Sequence, residues 1–521
     1  MHKLAQRLDK WLHSHLFLLL ALLVLLLLRI PNFFEPYWYG DEGIYLTVGN
    51  GIKAGERLYA DIIDHKTPLI YYLAAVPTQL SFRFLNLSWM IATTIAFYGL
   101  GLKLFKEKRH LHLSLISFVL LTTLPWLEGN IPNGELFVMG FVLMAGWILS
   151  KTALFDFFLN KKKDLKKISE PGKLVAAGIL LGLAILTKIP AVLDLAAFLT
   201  IGWFALTNHI SDQKKHLLIS IPKQLLILGL GVLLPIVISI IYFIAIGAGQ
   251  DYLDFGLLYN FRYASTWGLP FQSVILEQLF TLQGKMLIAG VMVLILTIRK
   301  KWFTPVTQFV VSWFLLALIG SLLSNRPYPH YFQQLVPPLT LMLGLIWQYL
   351  EDFSKYMQAF IMSTAALALF IAAMLLLEFR PYPTLEYYQK FTQLITNQIS
   401  ADAYRDSFNY LMPDNYEAAK IIKKSGVKEI FIWGTNPMLY ALSDTNPTGR
   451  FTVSFHIKDF NAYDETYQDL VVREPQFIVV MKNETEELPG LNHYLTENYV
   501  VNANFDYFDL WMRLDTKQHV N

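Results

Sequence analysis

The sequence predicts a polytopic α-helical membrane protein with a carboxy-terminal α/β domain, and three observations carry that reading. Of its 521 residues 54% are hydrophobic and only 16% charged, with a mean hydropathy of +0.40. That is too apolar for an ordinary soluble chain. Apolar runs near the length that crosses the hydrocarbon core, about 20 residues, recur up to residue 378. Beyond Phe379 charge rises and apolar residues come in short packets, as in a soluble domain. The expected division is therefore a membrane domain over 1–378 and a soluble domain over 379–521.

In chain order, spans are expected near 12–30, 84–104, 111–127, 135–156, 172–188, 190–208, 224–247, 285–298, 304–323, 331–350 and 357–378, about eleven crossings. The first run follows Lys3, Arg7 and Lys10 and ends in Arg29-Ile30-Pro31 without a small-residue cleavage site, so it reads as a retained helix with a cytoplasmic amino terminus. Pro68 to Leu80 is apolar but short, and reads as an interfacial or re-entrant helix. Leaving it out of the count places Lys103 to Arg109, Lys161 to Lys167, Lys214-Lys215 and Arg299 to Lys301 on one side, as the positive-inside rule requires. The outer side then receives 31–83, the loop Glu128 to Gly134, 248–284, Ser324 to His330 and the carboxy-terminal domain. There, Asp414 to Ser425 reads as a helix capped by Gly426. Glu429 to Gly434, Gln476 to Met481 and Phe505 to Leu514 read as strands of a partly parallel sheet.

Net charge is +3, its lysines and arginines clustered between apolar runs, which gives no case for nucleic acid. No cysteine is present, so disulfides, thiolate metal sites and a cysteine nucleophile are excluded. P-loop, dinucleotide fingerprint, His-Glu-x-x-His and Gly-x-Ser-x-Gly motifs are also missing. A nucleotide-bound donor in the usual folds is therefore not expected.

The polar residues that could carry chemistry collect in the outer segments. Asp41 and Glu42, flanked by aromatics and by Gly40 and Gly43, form a paired acid at the membrane surface, where a carboxylate can take a hydroxyl proton. Asp61, Asp64, His65, Lys66 and Thr67 open the short apolar segment. Asp64 or Thr67 is a plausible cap there, and a lysine and histidine at a helix start also suit a phosphate. Glu135 and Lys188 sit at outer helix ends, where they also fit as helix-dipole and snorkelling residues. Asp194 lies one turn into an apolar span and needs a partner, for which Lys188 is the candidate. Arg326, His330 and Tyr331 form an outer group able to grip a phosphate or sugar, with Asn260, Arg262 and Tyr263 as weaker candidates of the same kind.

Gly40-Asp41-Glu42-Gly43-Ile44-Tyr45, His65-Lys66-Thr67-Pro68-Leu69-Ile70-Tyr71-Tyr72, Pro132-Asn133-Gly134-Glu135-Leu136, Leu186-Thr187-Lys188 and Pro329-His330-Tyr331-Phe332 together resemble segments of the GT-C superfamily of integral-membrane glycosyltransferases. The resemblance is to the branch of protein O-mannosyltransferases, the aminoarabinose transferase of lipid A and RgtA/B/C/D-like enzymes. It implies inverting transfer of a hexose or pentose from a polyprenyl-phosphate donor to a lipid, glycan or protein acceptor at the outer face of the cell membrane. Asp41 would inherit the role of base and Lys66 that of phosphate contact. Thr67 departs from the first of two prolines that the family often has there. Some superfamily members use Mg²⁺ or Mn²⁺, for which Asp41, Glu42 and Glu135 are the oxygen ligands at hand, although metal-free chemistry is the expectation for this branch. The rival reading is a transporter or flippase of a lipid-linked sugar, with Asp194 and Lys188 on a translocation path; it would spread polar residues through midplane spans in paired halves, whereas here they concentrate at one face.

Overall fold

The computed structural model describes residues 2–159, 165, 170–209, 216–264 and 268–514. The lysines at 161–163, 166–167 and 214–215 that enter the topology expectation lie outside them. Two compact units emerge. One comprises Met1–Ile30, Phe84–Ser239 and Phe261–Thr384; the other comprises Pro31–Arg83, Ile240–Asn260 and Leu385–Asn521. The second unit thus joins the first outer segment and part of the 248–284 segment to the carboxy-terminal region.

The chain is a multi-pass membrane protein. Every expected span falls on a helix: His2–Leu28, Gln79–Leu104, Lys108–Thr123, Gly134–Leu149, Pro171–Thr187, Val192–His209, Leu217–Ala245, Leu282–Ile298, Pro305–Ser321, Val336–Glu351 and Phe353–Leu376. Among the described residues, five helices are long and apolar enough to cross by themselves. Counting two sharply bent pairs, Gly134–Leu149 with Ala153–Leu159 and Val274–Phe280 with Leu282–Ile298, raises this to seven. The remaining four expected spans are helices of 16 or 17 residues, about 25 Å long at 1.5 Å per residue and short of the roughly 30 Å core. Apolar runs located these helices, and overstated by three or four residues the length of the two expected at 304–323 and 331–350.

Within the first unit, Gly178 and Gly182 on Pro171–Thr187 bring their backbone against the carbonyls of Leu228 and Val232 on Leu217–Ala245, leaving no room for a Cβ. Small residues four apart are how apolar helices approach closely in lipid.

In the second unit a mixed five-stranded sheet runs in the order β2-β1-β3-β5-β4, with β1 Glu429–Trp433, β2 Asn446–Pro447, β3 Phe477–Met481, β4 Tyr499–Asn504 and β5 Phe508–Arg513. β1 is parallel to β2 and β3, while β5 pairs antiparallel with β3 and β4. The three predicted strands are present. The edge strands β2 and β4 were not legible, the first being two residues long and the second largely exposed. Helix Met412–Ser425 ends, as expected, on Gly426 in the left-handed conformation.

Two local readings change. Asp41 and Glu42 lie in the first turn of a helix, Gly40–Ala54, instead of in a sharply bent loop. Gly43 serves packing, since a Cβ there would lie 2.9 Å from the Met438 backbone nitrogen. The segment from Pro68 forms only the six-residue helix Leu69–Ala74, whose start takes no side-chain cap, so neither Asp64 nor Thr67 caps it.

Candidate active site

The second unit gathers the first group of candidates. Residues 61–66 are pinned to the carboxy-terminal region by backbone: the Ile63 N–H donates to Arg450 O at 2.7 Å, and Thr452 Oγ1 donates to Ile63 O at 3.1 Å. This brings His456, 391 positions from His65, against the His65-Lys66 turn. Lys66 Nζ lies 3.6 Å from Asp41 Oδ1 and 3.5 Å from Asp64 Oδ2, over the ring of Tyr45. Tyr45 in turn donates to Asp41 Oδ2 at 3.3 Å. Asp41 keeps 27% of its side chain exposed, whereas Lys66 keeps 9% and Asp64 none. An accessible carboxylate beside a largely buried ammonium suits proton removal next to an anionic leaving group.

Asp64, His65 and His456 form a fully buried trio. His65 Nδ1 and His456 Nε2 are 2.9 Å apart, and Asp64 Oδ1 lies 3.2 Å from the first and 3.5 Å from the second. Burial would raise the Asp64 pKa, but Lys66, His65 and His456 hold it well below the usual carboxylate range. Burial lowers both imidazoles against the opposing pull of Asp64, and takes His456 to about 3. Asp64 is therefore anionic and both histidines neutral at pH 7. Asp64 Oδ1 faces the two imidazoles, while Oδ2 accepts from Tyr71.

Glu42 is held in a separate buried ion pair. Its carboxylate accepts from Arg83 Nε at 2.9 Å, Arg83 Nη2 at 2.7 Å and Gln79 Nε2 at 2.9 Å, with 1% of its side chain exposed. Arg83 also binds the carbonyl oxygens of Asn32 and Glu35. The pair fastens the segment 32–42 to the start of helix Gln79–Leu104.

The first unit gathers most of the remaining candidates. Lys188 pairs with Glu135 and lies 4.3 Å above the Tyr331 ring. His330 Nδ1 contacts Glu128 Oε2 at 2.6 Å. Burial alone would lower the His330 pKa, but Glu135 and Glu128 outweigh it and raise it above 6.5. Arg326 stacks on Tyr263 at 3.8 Å. Asp194 is not Lys188's partner: it accepts from Trp313 Nε1 at 2.7 Å and Gln334 Nε2 at 2.5 Å. Both donors are neutral side chains.

A raised histidine makes a signed prediction. Stability from the His330–Glu128 pair is fully present below about pH 6.5 and lost as pH climbs through the higher folded pKa. The difference in unfolding temperature between wild type and His330→Gln should shrink between about pH 6 and about pH 9; a gap that stays constant over that range contradicts the pairing.

Neither His456 nor Glu128 was among the predicted site residues. His456 has no motif around it, and only the backbone pairing of residue 63 with 450 and 451 brings it to the site. Glu128 was visible in an outer loop but had no neighbour in sequence to mark it.

The fold of this chain has a counterpart among solved structures. It is similar to the crystal structure of ArnT from Cupriavidus metallidurans bound to undecaprenyl phosphate, with a TM-score of 0.50 and 12% identity over 96% of this chain and 99% of that one. An Archaeoglobus fulgidus oligosaccharyltransferase in complex with Zn and sulfate matches at a TM-score of 0.40 and 14% identity, over 89% of this chain and 68% of that one. No family model and no curated protein sequence matches the chain.

Proposed function

We propose that the protein is a glycosyltransferase that moves a hexose or pentose from a polyprenyl-phosphate carrier to a hydroxyl of a lipid, glycan or protein at the outer membrane face, with inversion. The observation that carries this reading is Lys66 Nζ beside Asp41 Oδ1 at 3.6 Å, an ammonium for phosphate next to an accessible carboxylate. Donor phosphate takes Asp41's place as the partner of Lys66. The freed carboxylate then accepts the acceptor's proton. The acceptor oxygen forms its bond to the anomeric carbon as the bond from that carbon to the phosphate oxygen breaks, and the electron pair leaves on the phosphate, where Lys66 offsets its charge. Glu135, Lys188, Arg326, His330 and Tyr331 bind polar parts of the substrates in this reading. The carboxy-terminal region is outside the cell, and the amino terminus inside.

Asp64 Oδ1, His65 Nδ1 and His456 Nε2 fit a divalent metal better than Asp41, Glu42 and Glu135 do. Their separations of 2.9, 3.2 and 3.5 Å bracket the edge of about 3.3 Å that tetrahedral bonds of about 2.0–2.1 Å require. Two imidazoles and one carboxylate favour zinc over Mg²⁺ or Mn²⁺. A bound ion would tie the Lys66 turn to His456 without entering the transfer step.

The test is purified full-length protein given polyprenyl-phosphate sugars and scored by mass spectrometry for released lipid phosphate. Lys66→Ala should weaken binding of undecaprenyl phosphate by roughly 10-fold or more, the cost of a lost charge-assisted contact; unchanged binding rejects its assignment.

A further inference from the structure

We propose that Lys66 is aimed by a backbone clamp of two buried tyrosine hydroxyls, those of Tyr59 and Tyr71, and that the π-helix Tyr252–Leu258 holds the clamp in place. The proposal rests on Lys66 meeting the donor phosphate. A lysine ammonium rides on four flexible carbons, so its reach is set by how firmly its backbone is fixed. Both peptide groups of Lys66 are tied. Its N–H donates to Tyr71 Oη at 3.0 Å, and its carbonyl accepts from Tyr59 Oη at 2.6 Å. The preceding carbonyl, of His65, accepts from Asn260 Nδ2 at 2.8 Å. Tyr59 and Tyr71 are wholly buried, so no water competes for these bonds.

Tyr59 carries a cost that argues for a purpose. Its φ is +71°, a region that non-glycine residues seldom occupy and that collects at functional sites. Its ring stacks on Tyr252 at 5.4 Å and meets Phe243 at 5.3 Å. Gly256, within the π-helix, lets the hydroxyl through: a Cβ there would lie 2.9 Å from Tyr59 Cζ and 3.0 Å from Oη. Single π-turns inside helices recur at functional sites because they displace one stretch of backbone. Here the π-helix leads directly into Asn260, which grips His65. Tyr59, Tyr71, Gly256 and Asn260 are positioning residues, and none needs to touch substrate.

The test uses the full chain in detergent with undecaprenyl phosphate as the probe, together with donor KM and kcat from released lipid phosphate. Tyr59→Phe keeps the ring and removes only the hydroxyl, so it should raise the probe Kd and the donor KM by roughly 3- to 10-fold, with a fall in unfolding temperature no larger than the loss of one buried hydrogen bond gives. Gly256→Ala should do the same by pushing the ring aside, and the double variant should be no worse than the poorer single, because both break one contact. If Lys66→Ala loses probe binding while Tyr59→Phe and Gly256→Ala keep wild-type Kd and KM, the clamp is rejected and the role of Lys66 stands. If Lys66→Ala binds as wild type, both fall. A Tyr59→Phe protein that loses stability and kcat with Kd unchanged also overturns the clamp, since that is the mark of a packing role alone.

Discussion

Asp41→Asn is expected to lower sugar transfer by about 10²–10⁴, the usual worth of a positioned general base, while the protein folds and still binds undecaprenyl phosphate. Asparagine matches the carboxylate in shape and can still accept from Tyr45, but it cannot hold the acceptor's proton. Lys66 loses one of its two carboxylate partners and keeps Asp64. Probe affinity should therefore stay level or rise, because the phosphate no longer competes with Asp41. Turnover and Kd measured on the same preparation separate the two effects. Wild-type turnover in the variant would remove Asp41 from the chemistry.

The second large effect belongs to stability. Arg83→Met should destabilise the protein by about 3–5 kcal/mol, since it leaves Glu42 and Glu35 as buried carboxylates without their cation. Glu42→Gln keeps the shape and should cost less, and the double variant should recover part of the loss because Glu35 alone, instead of both acids, is then left without the cation. Unfolding midpoints in detergent report this. Activity per folded molecule should survive Glu42→Gln. A Glu42→Gln protein that unfolds like wild type but turns over like Asp41→Asn would instead make Glu42 part of the catalytic apparatus.

These two adjacent acids show how far sequence reasoning reaches. The motif Gly40-Asp41-Glu42-Gly43 marks a candidate locus in the sequence, yet nothing local separates the surroundings of its two acids. The difference is made by Arg83, 41 positions from Glu42, and one arginine near the start of an apolar span reads in sequence as an interfacial anchor. Asp64 shows the opposite case: as a loop acid before Pro68 it resembles a cap, and only burial beside two histidines reveals otherwise. Helix positions were legible because apolar runs leave a strong mark in the sequence. Their lengths and bends were less so, since a break such as that between Leu149 and Ala153, at Ser150-Lys151-Thr152, carries neither Pro nor Gly to mark it. His456 was out of reach altogether, because backbone pairing at Ile63 determines its place.

Release of lipid phosphate from a polyprenyl-phosphate sugar by purified full-length protein decides whether Asp41 and Lys66 transfer a sugar off a polyprenyl phosphate. Release should depend on an added acceptor, fall to background in Asp41→Asn, and in Lys66→Ala need far more donor to saturate. No release across a panel of polyprenyl-phosphate hexoses and pentoses with lipid, glycan and peptide acceptors, or equal release from wild type and Asp41→Asn, would contradict it.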